Sequence, residues 1–160
     1  MRDRLIKKTK KLIKYVTQPF YNRLIKRLSN TIYVHGSKSR ISIGKNVSLL
    51  NTVINTASGD VNIEDNVIFG HNCMLLTGRH EFKNGKRLFY SGKPDTPKKG
   101  FDINIGEGSW ITSGVIIVGN VSIGKHSIVC AGAVVTKNFP DHSIIAGVPA
   151  ALIGSTLNLK

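Results

Sequence analysis

The chain is poor in several residue types. Its 160 positions hold two cysteines, two methionines, one tryptophan, five prolines and nine acidic residues. Cys73 and Cys130 are not spaced as metal ligands, and both fall among apolar repeat residues, where cysteine serves as a small core group. A disulfide framework is therefore excluded, and a reduced, cytoplasmic chain is the expectation. Uninterrupted apolar runs are short, so no membrane-spanning helix is expected. The N-terminus also lacks the apolar segment of a secretory signal. Scarce acids leave few carboxylate pairs, which argues against glycosidase-like chemistry. There is no Gly-x-Ser-x-Gly turn, no cysteine with a suggestive histidine partner, no Gly-rich phosphate loop ahead of a helix and no convergent set of metal ligands.

What is abundant is positive charge, and it is unevenly placed. The formal charge is +14, from 23 Lys and Arg against nine acids. Residues 1–40 hold twelve of those cations, opposed only by Asp3. Leu5, Ile6, Leu12, Ile13 and Val16 recur at helical spacing, with Lys and Arg on the other side. Residues 1–30 thus read as a basic amphipathic helical arm, broken into two helices at Pro19. Three uses fit such an arm: packing on protein, lying on an anionic membrane surface, and binding nucleic acid. Peripheral attachment to the inner face of the membrane is carried forward as an expectation, and nucleic-acid binding is not.

The stretch 105–139 carries the organising pattern. Ile105, Ile111, Ile117, Ile123, Val129 and Val135 recur every six residues. Four positions after each come Ser109, Val115, Val121, Ser127, Ala133 and Phe139. A strict six-residue phase is a repeat, not ordinary strand alternation. Short strands joined by bends at Gly and Asn would turn a triangular coil, with three units and eighteen residues per rung, around a column of Ile and Val. The pattern is worn at Ile43 and Leu49, returns at Ile63, Phe69 and Leu75, then lapses until Ile105. That gap of thirty residues reads as one rung plus twelve, expelled as a loop over 77–100. The fold class is accordingly all-β: a parallel β-helix with a helical arm and one extruded loop. Residues 31–153 form the β-helix and 154–160 a C-terminal tail, with Gly147 and Pro149 ending the coil.

Long loops on rigid scaffolds concentrate function. His80 stands where the coil opens into this loop, between Arg79 and Glu81. It is suited to general-base work, and equally consistent with a surface histidine. His126 and His142 occupy variable coil positions, which suggests exposure. Trp110 takes an outward position on the coil, as a contact surface or packed against the loop.

The motifs IGEGSWI, AGAVVTKNFP and IAGVPA, with GHNCMLLTGRHEF before the loop, resemble the hexapeptide-repeat acyltransferase superfamily, the maltose, galactoside and polysaccharide O-acetyltransferases in particular. The resemblance covers about 40–153 and implies a left-handed β-helix, a homotrimer and acetyl-CoA as acyl donor. It implies His80 as the catalytic base, with Trp110, Ser113, Ala131, Thr136 and Lys137 on the acyl-CoA. Glu81, Asn51 and Asn55 are the acceptor-side candidates. The family commonly has Arg two residues after the Pro of AGVP, near the CoA phosphates. Ala151 stands there, leaving that role to Lys137 or other lysines. The implied activity is transfer of acetyl to a hydroxyl of a sugar or glycan, such as a surface polysaccharide. N-acylation of an amino sugar and a non-catalytic β-helix scaffold are the alternatives.

Overall fold

The computed structural model describes residues 2–29, 32–90 and 92–160, with the side chains of residues 2–9, 12, 25–29, 90, 93 and 94 outside that description. The chain divides into two units, Met1–Thr31 and Ile32–Lys160.

The first unit is a single α-helix, Arg2–Ser29, with Pro19 inside it. The break expected at Pro19 does not occur. Proline removes one N–H from the ladder, but the Lys-, Arg- and Leu-rich turns farther out on either side are good helix formers. Side chains also brace the turns around it, Thr17 Oγ1 donating to the Ile13 carbonyl at 2.9 Å and Gln18 Nε2 to Asn22 Oδ1 at 3.0 Å. Ile13, Val16, Phe20 and Leu24 are exposed. The side chains of Leu5, Ile6 and Leu12, which begin the apolar stripe, lie outside the described residues. Among the described residues no helix is long and apolar enough to cross a membrane.

The second unit is a three-faced parallel coil. Face A stacks Tyr33–His35, Val53–Asn55, Met74–Leu76, Ile116–Val118 and Val134–Val135. Face B stacks Ile41–Ile43, Val61–Ile63, Ile103–Ile105 and Val121–Ile123. Face C stacks Ser48–Leu50, Ile68–His71, Trp110–Ile111, Ile128–Val129 and Ser143–Gly147. Each aliphatic residue of the six-residue phase points inward: Ile105, Ile111, Ile117, Ile123, Val129 and Val135 are at most 2% exposed. The second positions are interior too, including the serines. Ser109, Ser127 and Ser143 are buried one above another, with Ser127 N donating to Ser109 Oγ at 3.2 Å and Ser143 N to Ser127 Oγ at 3.1 Å. Burial leaves those hydroxyls no choice but protein partners.

Corners are set by residues that tolerate positive φ. Between faces B and C these are Asn46, Asn66, Gly108, His126 and His142. His126 and His142 thus turn corners, and their rings stack at 5.4 Å. Between faces C and A they are Asn51, Asn72, Gly114 and Gly132.

Register corrects the loop arithmetic. Ile105 stacks on Ile63, forty-two residues earlier, and Ile123 stacks on Ile105, eighteen residues later. The excess is therefore twenty-four residues, not twelve. Leu75 and Ile105 lie on adjacent faces, so six residues, not eighteen, would separate them without the loop. The expelled segment folds as two small hairpins, Phe82–Lys83 with Lys86–Arg87 and Phe89–Tyr90 with Lys93–Pro94.

Beyond Pro149 the chain reverses, and Ala150–Ser155 pairs antiparallel with Ser143–Gly147. The chain from 154 onward therefore begins inside a strand. A reversed strand caps the last rung, whose unpaired edge would otherwise offer a template for pairing.

The three faces differ outwardly. Face B presents Ser42, Asn62, Asn104 and Ser122 in register, all exposed. Asn62 Nδ2 donates to Asn104 Oδ1 at 2.9 Å along that row. Face A presents Tyr33, Val53, Met74, Ile116 and Val134. Face C presents Ser48, Ile68, Trp110, Ile128 and Ile144. Two faces are mainly apolar outside and one is polar.

Charge partitions as sharply. The helical unit has ten Lys and Arg against Asp3. Loop 77–100 has seven against Glu81 and Asp95. The rest of the coil has six cations and six acids, so the whole +14 resides in the helix and the loop.

Candidate active site at the root of the loop

The loop leaves the corner between faces A and B, and a buried hydroxyl network holds its two ends. Thr77 Oγ1 donates to the Asn55 carbonyl at 2.9 Å and accepts from Ser58 N at 3.2 Å. Ser58 Oγ accepts from Arg79 N at 3.2 Å, and the Ser58 carbonyl accepts from Phe101 N at 3.3 Å. Outgoing and returning strands of the loop are thus tied to one residue. Ser58 and Thr77 are at most 1% exposed, so water does not compete for these bonds. The Arg79 guanidinium lies 5.1 Å from the centre of the Phe101 ring, a second tie between the two ends.

His80 follows directly on this anchored root and is exposed. Its Nδ1 lies 3.4 Å from Thr96 Oγ1. Thr96 is brought there by backbone bonds within the loop: Glu81 N to the Asp95 carbonyl at 3.2 Å, Leu88 N to the Glu81 carbonyl at 2.8 Å, and Asp95 N to the Leu88 carbonyl at 2.9 Å. The hydroxyl can accept from Nδ1–H, which is compatible with the tautomer that leaves Nε2 as acceptor. A general base needs that state.

The other sequence-selected residues fall on three parts of the coil. Thr136 and Lys137 follow Val134–Val135 at the same A–B corner, two rungs beyond the loop, a separation of about 10 Å at strand spacing. Lys137 Nζ lies 5.6 Å from the Phe139 ring centre. Trp110 stands on face C, 51% exposed. Ser113 and Ala131 sit at the C–A corner, where Ser113 Oγ accepts from His71 N at 3.1 Å. One protomer therefore brings Thr136 and Lys137 to the side of His80, and does not bring Trp110, Ser113 or Ala131 there. Asn55 lies under the root, against Gly78, and its Oδ1 accepts from Ala57 N at 2.8 Å. Asn51 is at the C–A corner, bonded to Asn72 in the turn ladder. Glu81 is half-buried beside His80. Ala151 is exposed in the last strand.

Sequence reasoning did not single out Thr96, Ser58 or Thr77. Thr96 has no signal, because the loop has no period to align it. Ser58 and Thr77 follow strands that stack in face A, but the irregular spacing before Ile63 hid the match. Two clefts of about 410 and 210 Å³ run along face B, lined by Asn62, Glu64 and Lys125 among others. None of the selected residues lines them. Among the described residues no three His, Cys, Asp or Glu side chains converge as a metal site.

Comparison with known proteins fits this geometry. No family model matches the sequence. The galactoside O-acetyltransferase of Escherichia coli (strain K12) is 38% identical over 120 residues, covering 72% of this chain and 54% of that one. A putative acetyltransferase of Schizosaccharomyces pombe is 37% identical over 90 residues, covering 56% of this chain and 41% of its own length. The chain thus spans about half the length of the curated relatives it matches. Among solved structures, a galactoside acetyltransferase in complex with coenzyme A superposes with a TM-score of 0.63 at 30% identity, over 84% of this chain and 68% of that chain. A hexapeptide-repeat acetyltransferase of Vibrio cholerae, complexed with acetyl coenzyme A, gives 0.60 at 26% identity, over 78% and 64%. With its six-residue phase, its three-faced coil and its loop at the A–B corner, the chain belongs to the hexapeptide-repeat acyltransferase superfamily and has that family's left-handed parallel β-helix.

Proposed function

We propose that this protein is an acetyl-CoA-dependent O-acetyltransferase that acetylates a hydroxyl of a sugar or glycan, with His80 as general base. The observation that carries the reading is the setting of His80: exposed, on an anchored root, with Nδ1 against Thr96. Acetyl-CoA supplies the acetyl group as a thioester. His80 Nε2 takes the proton of the acceptor hydroxyl as its oxygen attacks. The imidazolium then hands that proton to the departing sulfur, so the base is restored and no covalent enzyme intermediate is needed. A phosphate-bearing donor suits a site flanked by the cationic loop and Lys137, with Ala151 supplying no charge.

The complete site requires neighbouring subunits. Apolar faces A and C meet at a corner of small residues, Gly114 and Gly132 with Ala131. Packing A of one copy toward C of the next, about a threefold axis at that corner, closes a ring and leaves face B to solvent. Three triangular prisms fill only about half the circle, so a cleft remains between each pair. The A–B corner of one subunit, with His80, Thr136 and Lys137, then faces Trp110 on the next.

An acceptor screen with labelled acetyl-CoA tests the reaction. Label should pass to a sugar or glycan, and His80→Ala should lower turnover by about 10²–10⁴-fold while the oligomer persists. Undiminished turnover in that variant rejects the base, and transfer only to an amine moves the assignment to N-acylation. Ile116→Glu should reduce a trimer to monomers in sedimentation, and a wild-type monomer would overturn the assembly.

A further inference from the structure

The reaction proposed above uses no residue of the helical unit, which holds ten of the 23 cations and an exposed apolar stripe. On a helix of 3.6 residues per turn, Ile13, Val16, Phe20 and Leu24 fall within one sector of about 80°. Their exposures are 56, 66, 72 and 42%. Lys11, Lys14, Gln18 and Asn22 occupy the opposite half of the wheel, with Tyr15 and Tyr21 among them and Lys10 at its border. We propose that Arg2–Ser29 is a membrane-surface helix that lies on an anionic bilayer, stripe inward and lysines among the lipid headgroups.

Three features favour that occupant. A helix that only followed nucleic-acid phosphates would need its cations and gain nothing from Ile13, Val16, Phe20 and Leu24. A second copy of the helix would bring ten cations against ten. It would also find a poor coiled-coil seam. Ile6, Ile13 and Phe20 recur every seven residues, but the matching intermediate positions are Thr9, Val16 and Arg23. An anionic lipid surface answers both halves of the helix at once, taking apolar side chains into the acyl boundary and cations at the headgroups. The coil is electrically neutral outside loop 77–100, so the helix is the larger of the two places where attraction can act.

The test uses the full chain and floatation with vesicles of phosphatidylcholine alone, or with one third phosphatidylglycerol. Binding should require the anionic lipid and weaken as salt rises. Converting Lys10, Lys11 and Lys14 to Gln should weaken it about fivefold per lysine. Ile13→Ser with Phe20→Ser, which leaves the charge unchanged, should weaken it at least tenfold. Thermal unfolding of the coil, followed by circular dichroism, should be unchanged in each variant, which separates lost binding from lost fold. The proposal fails if the wild type does not float with anionic vesicles at low salt. It also fails if the double Ser variant binds as well as the wild type, since simple polycation adsorption would then suffice. Hydrogen-exchange protection of residues 10–24 without vesicles would instead assign the stripe to protein. Binding to duplex DNA that survives Phe20→Glu, without vesicle binding, would assign the helix to nucleic acid.

Discussion

Gly59 offers a direct test of how the coil positions His80. It is buried at the A–B corner, and a Cβ placed on it would lie 2.4 Å from both the carbonyl carbon and the carbonyl oxygen of Phe101. Ordinary contact begins about 1 Å farther out, so Gly59→Ala forces the Phe101 backbone to move by about that distance. Backbone cannot rotate away as a side chain would. The Phe101 N to Ser58 carbonyl bond, already 3.3 Å, would break. Arg79, stacked on the Phe101 ring and adjacent to His80, would follow. Overpacking of this kind costs about 1–3 kcal/mol, which should lower the thermal midpoint by roughly 4–12 °C. Displacing a catalytic group by about 1 Å costs on the order of 10²-fold in turnover. Release of free CoA, read with a thiol reagent, measures the second effect, and calorimetry the first. Gly154→Ala is the matched control, since its added Cβ meets the Ile144 side chain at an ordinary 3.5 Å. If Gly59→Ala turns over within threefold of wild type at an unchanged midpoint, the loop root does not hold the base as described.

Other outcomes follow from the same geometry. Thr96→Val should lower kcat severalfold with little change in the KM for acetyl-CoA, because it removes the hydroxyl at His80 Nδ1 and leaves the other site residues intact. Steady-state kinetics on both substrates checks that split. Ile117→Ala, at a fully buried position stacked between Leu75 and Val135, should destabilise the coil by about 2–5 kcal/mol in a denaturant titration. Burial pushes the Cys73 thiol above its usual 9.0, against the weaker opposing pull of backbone bonds. The unfolded chain therefore loses that proton first, so stability should hold below about pH 9 and fall as pH rises through the interval up to the folded value. Cys73→Ala should remove that slope. In native protein a thiol reagent should spare buried Cys73.

How much of this was legible depends on periodicity. The phase from Ile105 to Val135 marked the interior residues one by one, because each rung repeats the same corner chemistry and the same stacking distance. The phase also located the loop, as the place where the pattern lapses, and so pointed to His80. It misjudged the amount expelled, since counting residues cannot say on which face the chain resumes, whereas the stacking of Ile105 on Ile63 does. A local rule makes Pro19 a break, and the neighbouring turns outweigh it. Thr96 could not be found at all. Its position depends on two hairpins closing on themselves, a non-local pairing that leaves no mark in spacing.

The site residues themselves divide along the same line, and the division carries information about assembly. His80, Thr136 and Lys137 share the A–B corner, whereas Trp110 looks out from face C and Ser113 and Ala131 turn the C–A corner. In a triangular prism no single surface point sees all of these. If they act on one acyl donor, a second copy must bring its face C against the first copy's face A. The apolar rows Tyr33–Val53–Met74–Ile116–Val134 and Ile68–Trp110–Ile128–Ile144 run along those two faces, while face B carries Ser42, Asn62, Asn104 and Ser122. On the proposed reading, the chemistry of the site and the hydrophobicity of the surface point to the same contact, with Trp110 common to both.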